Sequence, residues 1–364
     1  MKSSLVTLAF AATAFLAQAN SHTPLNFHGV TAVSPVRKAE AAPGYVLRFP
    51  SYGSIERLSP DLDALIAPDA QMEKLADGFH WSEGPTWLKR ERALVFSDVP
   101  ENKVYRWSEK DGKSLYLSPS GHTGVGTGFA EPGSNGLITD RGGRLILCQD
   151  GDRRISRLVK RDGVTGTYEP LVEFFGGRRF NSPNDVVYDR EGNLYFTDPP
   201  YGLEGKNQSP HKELMFNGVF LLRRNGELEL LTSRMTFPNG IGLSPDGLTL
   251  YVSQSDPDAP VVMAYDVKSD GTIGNGRVFF DAKSLVRPDR FGMPDGMKVD
   301  IHGNLWCTGP GGVLIINPEG KLLGTLLTGQ PTGNCAWGDD GTTLYITSNH
   351  DLVRIRTRSR GLGF

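Results

Sequence analysis

The stretch Asn181–Pro200, NSPNDVVYDREGNLYFTDPP, starts with polar side chains (Asn181, Asn184, Asp185) and continues as a short apolar run, Val186 to Tyr188. A turn, Asp189-Arg-Glu-Gly-Asn193, follows, and then a second run, Leu194 to Thr197. Gly192 is free to take positive φ, and Asp and Asn bond their own backbone in such turns. Two short β-branched or aromatic runs around a turn of this kind predict a β-hairpin. The stretch decides the fold because the chain repeats it. Related segments begin at Ser82, Ser134, Pro183, Pro238, Pro294 and Thr332, each running polar residue, short strand, Asp/Gly turn, second strand.

The leading polar residues are Glu83, Asn135, Asn184, Asn239, Asp295 and Asn334, each ten or eleven residues before a Leu: Leu94, Leu145, Leu194, Leu250, Leu305 and Leu344. They fall 39 to 56 residues apart. Four short strands per period of this length predict a β-propeller, because each blade has an apolar face that only its neighbours can bury. Six copies predict an all-β, six-bladed β-propeller over residues 70–364. After Asn334 there is room for three strands, Cys335 to Trp337, Thr343 to Thr347 and Leu352 to Arg356. The last blade is therefore expected to be closed by an N-terminal strand, Gln71 to Ala76, which removes an open sheet edge. Asp61 to Ile66 is the one short helical turn expected, within an otherwise irregular stretch, 44–69.

Lys2, the apolar run Leu5 to Leu16 and Ala17-Gln18-Ala19 form a signal-peptide pattern over residues 1–19, followed by an N-terminal arm, 20–69. The run is too short for a comfortable transmembrane helix, so export to a periplasm or secretion is expected, with no membrane association after cleavage. The formal net charge of −2 over 364 residues offers no basic patch for nucleic acid. Three cysteines, Cys148, Cys307 and Cys335, are an odd count and no disulfide framework. They read as small buried hydrophobes, with a single bridge left open.

The innermost strand of each propeller blade lines the central channel, so one repeat position becomes one ring. Here that ring is Glu, Asn, Asn, Asn, Asp, Asn. Two carboxylates and four amides are hard oxygen donors that suit Ca²⁺ or Mg²⁺, and the absence of His and Cys disfavours Zn²⁺. The metal set expected is Glu83, Asn184, Asn239 and Asp295. Asn181 and Asp185 fall outside the repeat register and rank behind the ring. No Gly-x-Ser-x-Gly elbow and no His-Glu-x-x-His is present, against a serine hydrolase or a zinc protease.

Ser-Glu-Gly-Pro-Thr-Trp (82–87), Ser-Pro-Asn-Asp (182–185), Pro-Asn-Gly-Ile (238–241) and Pro-Asp-Gly-Met (294–297), in this order, resemble the SMP-30/gluconolactonase/luciferin-regenerating family of six-bladed propellers. The resemblance covers about Gln71 to Arg356. It implies one divalent cation, Ca²⁺ first with Mg²⁺, Mn²⁺ or Zn²⁺ as alternatives, held by Glu83, Asn239 and Asp295. It also implies Asn184 beside metal and substrate, and Asp295 as the base. Shorter animal members have an Arg two residues before the active-site Asn, whereas Arg179 lies five before Asn184. Arg179 and Asn135 join Asn184 as substrate-binding candidates. The expected activity is hydrolysis of a sugar lactone to the aldonic acid. The alternatives are another ester or phosphoester hydrolysis on the same site, or a non-catalytic calcium-stabilised binding propeller. The excursion Tyr201 to Leu214 has the length of a lid. The repeat-turn residues Asp140, Asp189, Asp246, Asp300 and Asp340 read as structural, and Arg153 and Arg154 as a solvated turn.

Overall fold

The computed structural model describes residues 47–125 and 128–364; the expected leader, and the expected arm before residue 47, lie outside the described residues. The described chain is a six-bladed β-propeller of antiparallel sheets, with helix limited to Leu62–Leu65 and two 3-10 turns. Blades 1 to 5 each wind outward through four consecutive strands. Their inner strands are Ser82–Leu88, Ser134–Thr139, Val186–Tyr188, Pro238–Leu243 and Met297–Val299. Blade 6 is built from Asn334–Gly338, Thr343–Ser348 and Asp351–Arg356, and its fourth strand, Met72–Asp77, comes from the N-terminal side. That strand pairs antiparallel with Asp351–Arg356. The pairing carries a buried ion pair, Arg354 Nε to Glu73 Oε2 at 2.8 Å.

The opening hairpin forms as its residues require. Val186 faces Phe196 and Tyr188 faces Leu194. Asp189 Oδ1 accepts the N–H groups of Gly192 (2.7 Å) and Asn193 (2.8 Å), and Gly192 takes φ 91°. Second strands such as Leu194–Asp198 are buried along their whole length, because each lies between two neighbouring blades. Each of the six blade–blade interfaces has its own apolar cluster. Blades 2 and 3, for example, share Ile146, Cys148, Phe180, Phe196 and Phe220. Each such fully buried side chain contributes about 1.5–3 kcal/mol relative to exposure. All three cysteines are free and buried in these interfaces.

Stretch 44–69, expected to be irregular, contains two strands and the helical turn. Ser51–Tyr52 pairs outside Met72–Asp77 on blade 6, and Ser54–Arg57 pairs with Leu322–Leu327 on blade 5. Gly53, at φ 56°, hands the chain from one sheet to the other. A Cβ there would lie 2.1 Å from the Leu327 carbonyl oxygen. Periodicity misses strands this short because they complete sheets whose pattern lies elsewhere in the chain.

Arg153 and Arg154 are also corrected, since both are buried. Arg153 donates to the carbonyls of Phe180 (2.6 Å) and His211 (3.0 Å), and Arg154 pairs with Asp152 at 3.0 Å. They brace the loops above blades 2 and 3, which a local reading of a charged turn does not reveal.

Candidate functional site

The six leading residues stand at the start of the inner strands, at one end of the channel. Hydroxyls lock them to the preceding blade. Ser97, Thr197 and Ser253 donate to the main-chain carbonyls of Asn135 (2.9 Å), Asn239 (2.6 Å) and Asp295 (2.8 Å). Each donor lies three residues after the repeat Leu, so its spacing was a readable signal. Glycines complete the close approach. A Cβ on Gly240 would sit 2.2 Å from the Asp295 carbonyl oxygen, and one on Gly333 would sit 2.2 Å from Glu83 Oε1.

The side chains divide by how much of their bonding capacity is already used. Ser255 donates to the Pro294 carbonyl (2.7 Å) and accepts from Asn239 Nδ2 (2.9 Å), which leaves Asn239 Oδ1 without a hydrogen bond among the described residues. The Asn184 side chain makes no hydrogen bond among the described residues, the Asp295 carboxyl is bonded by the Gly296 N–H, and Glu83 Oε2 accepts the Gly84 N–H at 2.9 Å. Asn334 is fully engaged. Its Oδ1 accepts from Cys335 N (2.9 Å) and Lys298 Nζ (3.2 Å), and its Nδ2 donates to Asp185 Oδ2 at 3.3 Å. Asp185 therefore reaches across the axis from blade 3 to blade 6. It occupies the position that is Gly in four other repeats, and substitution of that Gly was the signal in the sequence.

Burial, then the charge of Asp185, pushes the Glu83 carboxyl up to about 7. Burial, then Glu83 and Asp185, pushes Asp295 well above the usual carboxylate range. Neither carboxylate has an ion pair among the described residues. Two carboxylates and two amide oxygens fit a divalent ion with oxygen preference. Among the described residues, no group of three or more His, Cys, Asp or Glu gathers as a metal cluster, so the amides are needed to complete a donor set.

Above the ring lie two loops. Residues 128–131 and 202–204 are joined by the Ala130 N–H to Gly202 carbonyl bond (2.7 Å) and the Glu204 N–H to Gly128 carbonyl bond (3.1 Å). Lys212 Nζ fastens the end of the excursion 201–214, donating to Asn181 Oδ1, the Leu214 and Phe216 carbonyls and Asn217 Oδ1, all at 2.8 to 2.9 Å. Glu131 is pushed up to about 7 by burial, and Tyr201 bonds Ser255, the partner of Asn239. Asn135 lies next to the buried Asp150. Arg179 is placed apart from the ring, in the ribbon Phe174–Phe175/Arg178–Arg179, with its guanidinium over the Phe174 ring and its N–H on Glu213. Sequence reasoning missed Glu131 and Asp150, because neither occupies a leading position in the repeat.

Residues 81–350 match the family model of the SMP-30/gluconolactonase/LRE-like region. The chain belongs to this family. It is 39% identical over 337 residues to a gluconolactonase of Zymomonas mobilis, covering 91% of this chain and 94% of that one. A solved gluconolactonase of Xanthomonas campestris superposes with a TM-score of 0.71 at 31% identity, over 85% of this chain and 97% of the other. Bovine regucalcin is 26% identical over 76% of this chain and 86% of its own length. The family match thus spans the inner strands of all six blades.

Proposed function

We propose that the protein hydrolyses a sugar lactone to the aldonic acid with a divalent cation, Ca²⁺ first, held by Glu83, Asn184, Asn239 and Asp295. The observation that carries the reading is this oxygen set itself: the buried Glu83, the half-buried Asp295 and two buried amides at the channel end, with no ion pair to either carboxylate among the described residues. Membership of the family and the similarity to gluconolactonases over nearly the full chain support the choice of substrate class.

The reaction needs a nucleophilic water, a place for its proton and stabilisation of a tetrahedral oxyanion. A bound divalent ion supplies Lewis acidity toward the lactone carbonyl and its developing charge. Asp295 is the general base. Its main chain is held on both sides. The Ser253 hydroxyl bonds its carbonyl (2.8 Å), and its N–H bonds the Thr308 carbonyl (3.1 Å). The proton taken from water passes to the ring oxygen as the acyl C–O bond breaks, and the product is the open hydroxy acid. Asn184 orients the substrate. The joined loops above the ring limit access of bulk water to the reacting carbonyl. The leader pattern at 1–19 fits a site of action outside the cytoplasm.

Asp295→Ala is expected to remove turnover of glucono-1,5-lactone, followed with a pH indicator, while the far-ultraviolet circular dichroism stays that of a β protein. Chelation is expected to remove the activity, and return of Ca²⁺ to restore it. Full activity in Asp295→Ala would exclude the base assignment. Turnover of phosphoesters but not lactones would move the substrate class.

A further inference from the structure

Main-chain bonds between neighbouring blades hold the ring residues around the axis. The Gly136 N–H donates to the Asn184 carbonyl (2.7 Å), and the Gly296 N–H donates to the Gly333 carbonyl (2.8 Å). Such bonds fix each blade against the next and bear only indirectly on the separation of opposite blades. Blades 3 and 6 stand opposite each other in the six-blade order, and a bond between two buried side chains joins them: Asn334 Nδ2 to Asp185 Oδ2, 3.3 Å. Both ends are anchored. Asp185 Oδ1 accepts the Val186 N–H (2.8 Å), and the Asp185 N–H donates to Thr197 Oγ1 (3.2 Å), the hydroxyl that also holds the Asn239 carbonyl. Asn334 Oδ1 accepts from Cys335 N and Lys298 Nζ, so the amide turns its NH₂ toward blade 3. The bond thus starts one residue after Asn184. Its other end rests on the residue after Asp295, where a Cβ on Gly296 would lie 2.0 Å from Asn334 Cγ and 2.4 Å from its Nδ2.

We propose that Asp185 and Asn334 are positioning residues: their bond across the axis sets the separation of Asn184 from Asp295, and with it the fit of the donor set around a divalent cation. This rests on the metal-dependent lactone reading above. The four proposed donors come from blades 1, 3, 4 and 5. Blade 6 adds none, because the amide oxygen of its lead residue already accepts two bonds. Asn334 instead spans from the neighbour of Asp295 to the neighbour of Asn184. Oxygen ligands must meet a divalent ion within a narrow range of distances, so a shift of blade 3 against blade 5 weakens binding. Residues that orient ligands typically change metal affinity or activity about 10–100-fold when they are replaced. The charge of Asp185 also acts on Glu83 and Asp295. Positioning and charge separate in Asn334→Ala, which removes the bond and leaves every formal charge in place.

The test measures Ca²⁺ affinity by isothermal titration calorimetry on metal-stripped protein, and kcat for glucono-1,5-lactone at saturating Ca²⁺. The proteins are wild type, Asn334→Ala, Asp185→Asn and the double variant Asp185→Asn/Asn334→Asp. Asn334→Ala is expected to bind Ca²⁺ about 10–100-fold more weakly and to lose at least about tenfold in kcat. Asp185→Asn leaves one oxygen for two donors and should change both in the same direction. The double variant exchanges carboxylate and amide. The new amide oxygen takes the Val186 N–H, its NH₂ bonds the new carboxylate, and that carboxylate keeps Cys335 N and Lys298 Nζ. Affinity and kcat are expected to return to within about threefold of wild type. A wild-type Ca²⁺ affinity in Asn334→Ala overturns the proposal. So does a double variant with kcat no better than that of Asp185→Asn, which would assign the effect to the Asp185 carboxylate alone. The double variant keeps every bond of the pair, so it decides the matter even where Asn334→Ala folds poorly. Wild type that binds Ca²⁺ and hydrolyses no lactone refutes the lactone reading, while the Ca²⁺ affinities of the same variants still decide the positioning role.

Discussion

Gly240→Ala tests whether the packing between blades sets the position of Asp295. The added Cβ would stand 2.2 Å from the Asp295 carbonyl oxygen, 2.8 Å from Gly296 Cα and 2.9 Å from the Asp295 carbonyl carbon. Ordinary contact begins at 3.4 Å, so one of the two strands must move by about 1 Å. The moving side has little freedom. The Asp295 carbonyl accepts from Ser253 Oγ at 2.8 Å, and the Gly296 N–H donates to the Gly333 carbonyl at 2.8 Å. Overpacking of this kind costs about 1–3 kcal/mol of stability. A displacement of about 1 Å in a catalytic group costs about a hundredfold in rate. Urea unfolding and lactone hydrolysis measure the two effects separately. Gly247→Ala is the control. Its φ of 78° brings backbone strain, but nothing lies within 4 Å of the added Cβ. It should lose about 1 kcal/mol with unchanged kcat/KM. Wild-type kcat/KM in Gly240→Ala would refute the argument that this contact positions Asp295.

Two further outcomes follow from the charges. In chelator, the Glu83 carboxyl lies at about 7, above its ordinary 4.5, and Asp295 is also raised. The folded state then binds more protons than the unfolded chain between about pH 4.5 and 7, so this contribution to stability falls as pH rises through that window. Melting temperatures in chelator should thus drop from pH 5.5 to pH 8, and saturating Ca²⁺ should abolish the drop; equal melting temperatures without metal would count against the paired carboxylates. In blade 6, Glu73→Ala leaves the buried Arg354 with Glu109 as its remaining carboxylate and also frees the Arg48 and Phe49 N–H groups. Breaking a buried pair costs about 3–5 kcal/mol, and the remaining Glu109 places the expected loss in urea unfolding near the lower end; a loss below about 1 kcal/mol would mean that the pair does not fasten the closing strand.

Much of the molecule was legible because repetition converts local spacing into geometry. The six polar leads, the repeat Leu residues and the Asp/Gly turns specify blades, and the shortage of strands after Asn334 specifies closure by Met72–Asp77. The ring followed from the same register, since one repeat position must meet itself around an axis. Asp300 shows the reading of a turn residue holding in detail: its carboxylate accepts from Asn304, Trp306 and Ser359. The hydroxyls of Ser97, Thr197 and Ser253 were equally periodic and were simply not read.

Tertiary structure alone decided which ring members have bonding capacity to spare. Asn239 and Asn334 are the same residue type at the same repeat position. One is turned by Ser255 so that its oxygen is left without a hydrogen bond among the described residues, and the other is consumed by Cys335, Lys298 and Asp185. It also decided that Asp150, Glu131 and Gly202 meet, because they come from loops and strand ends of different blades whose joining leaves no trace in local periodicity. The sequence by itself determined the blades, their closure and the ring, since those depend on spacing along the chain. Which carboxyls are left without partners depends on contacts between distant residues, and only the folded chain determines those.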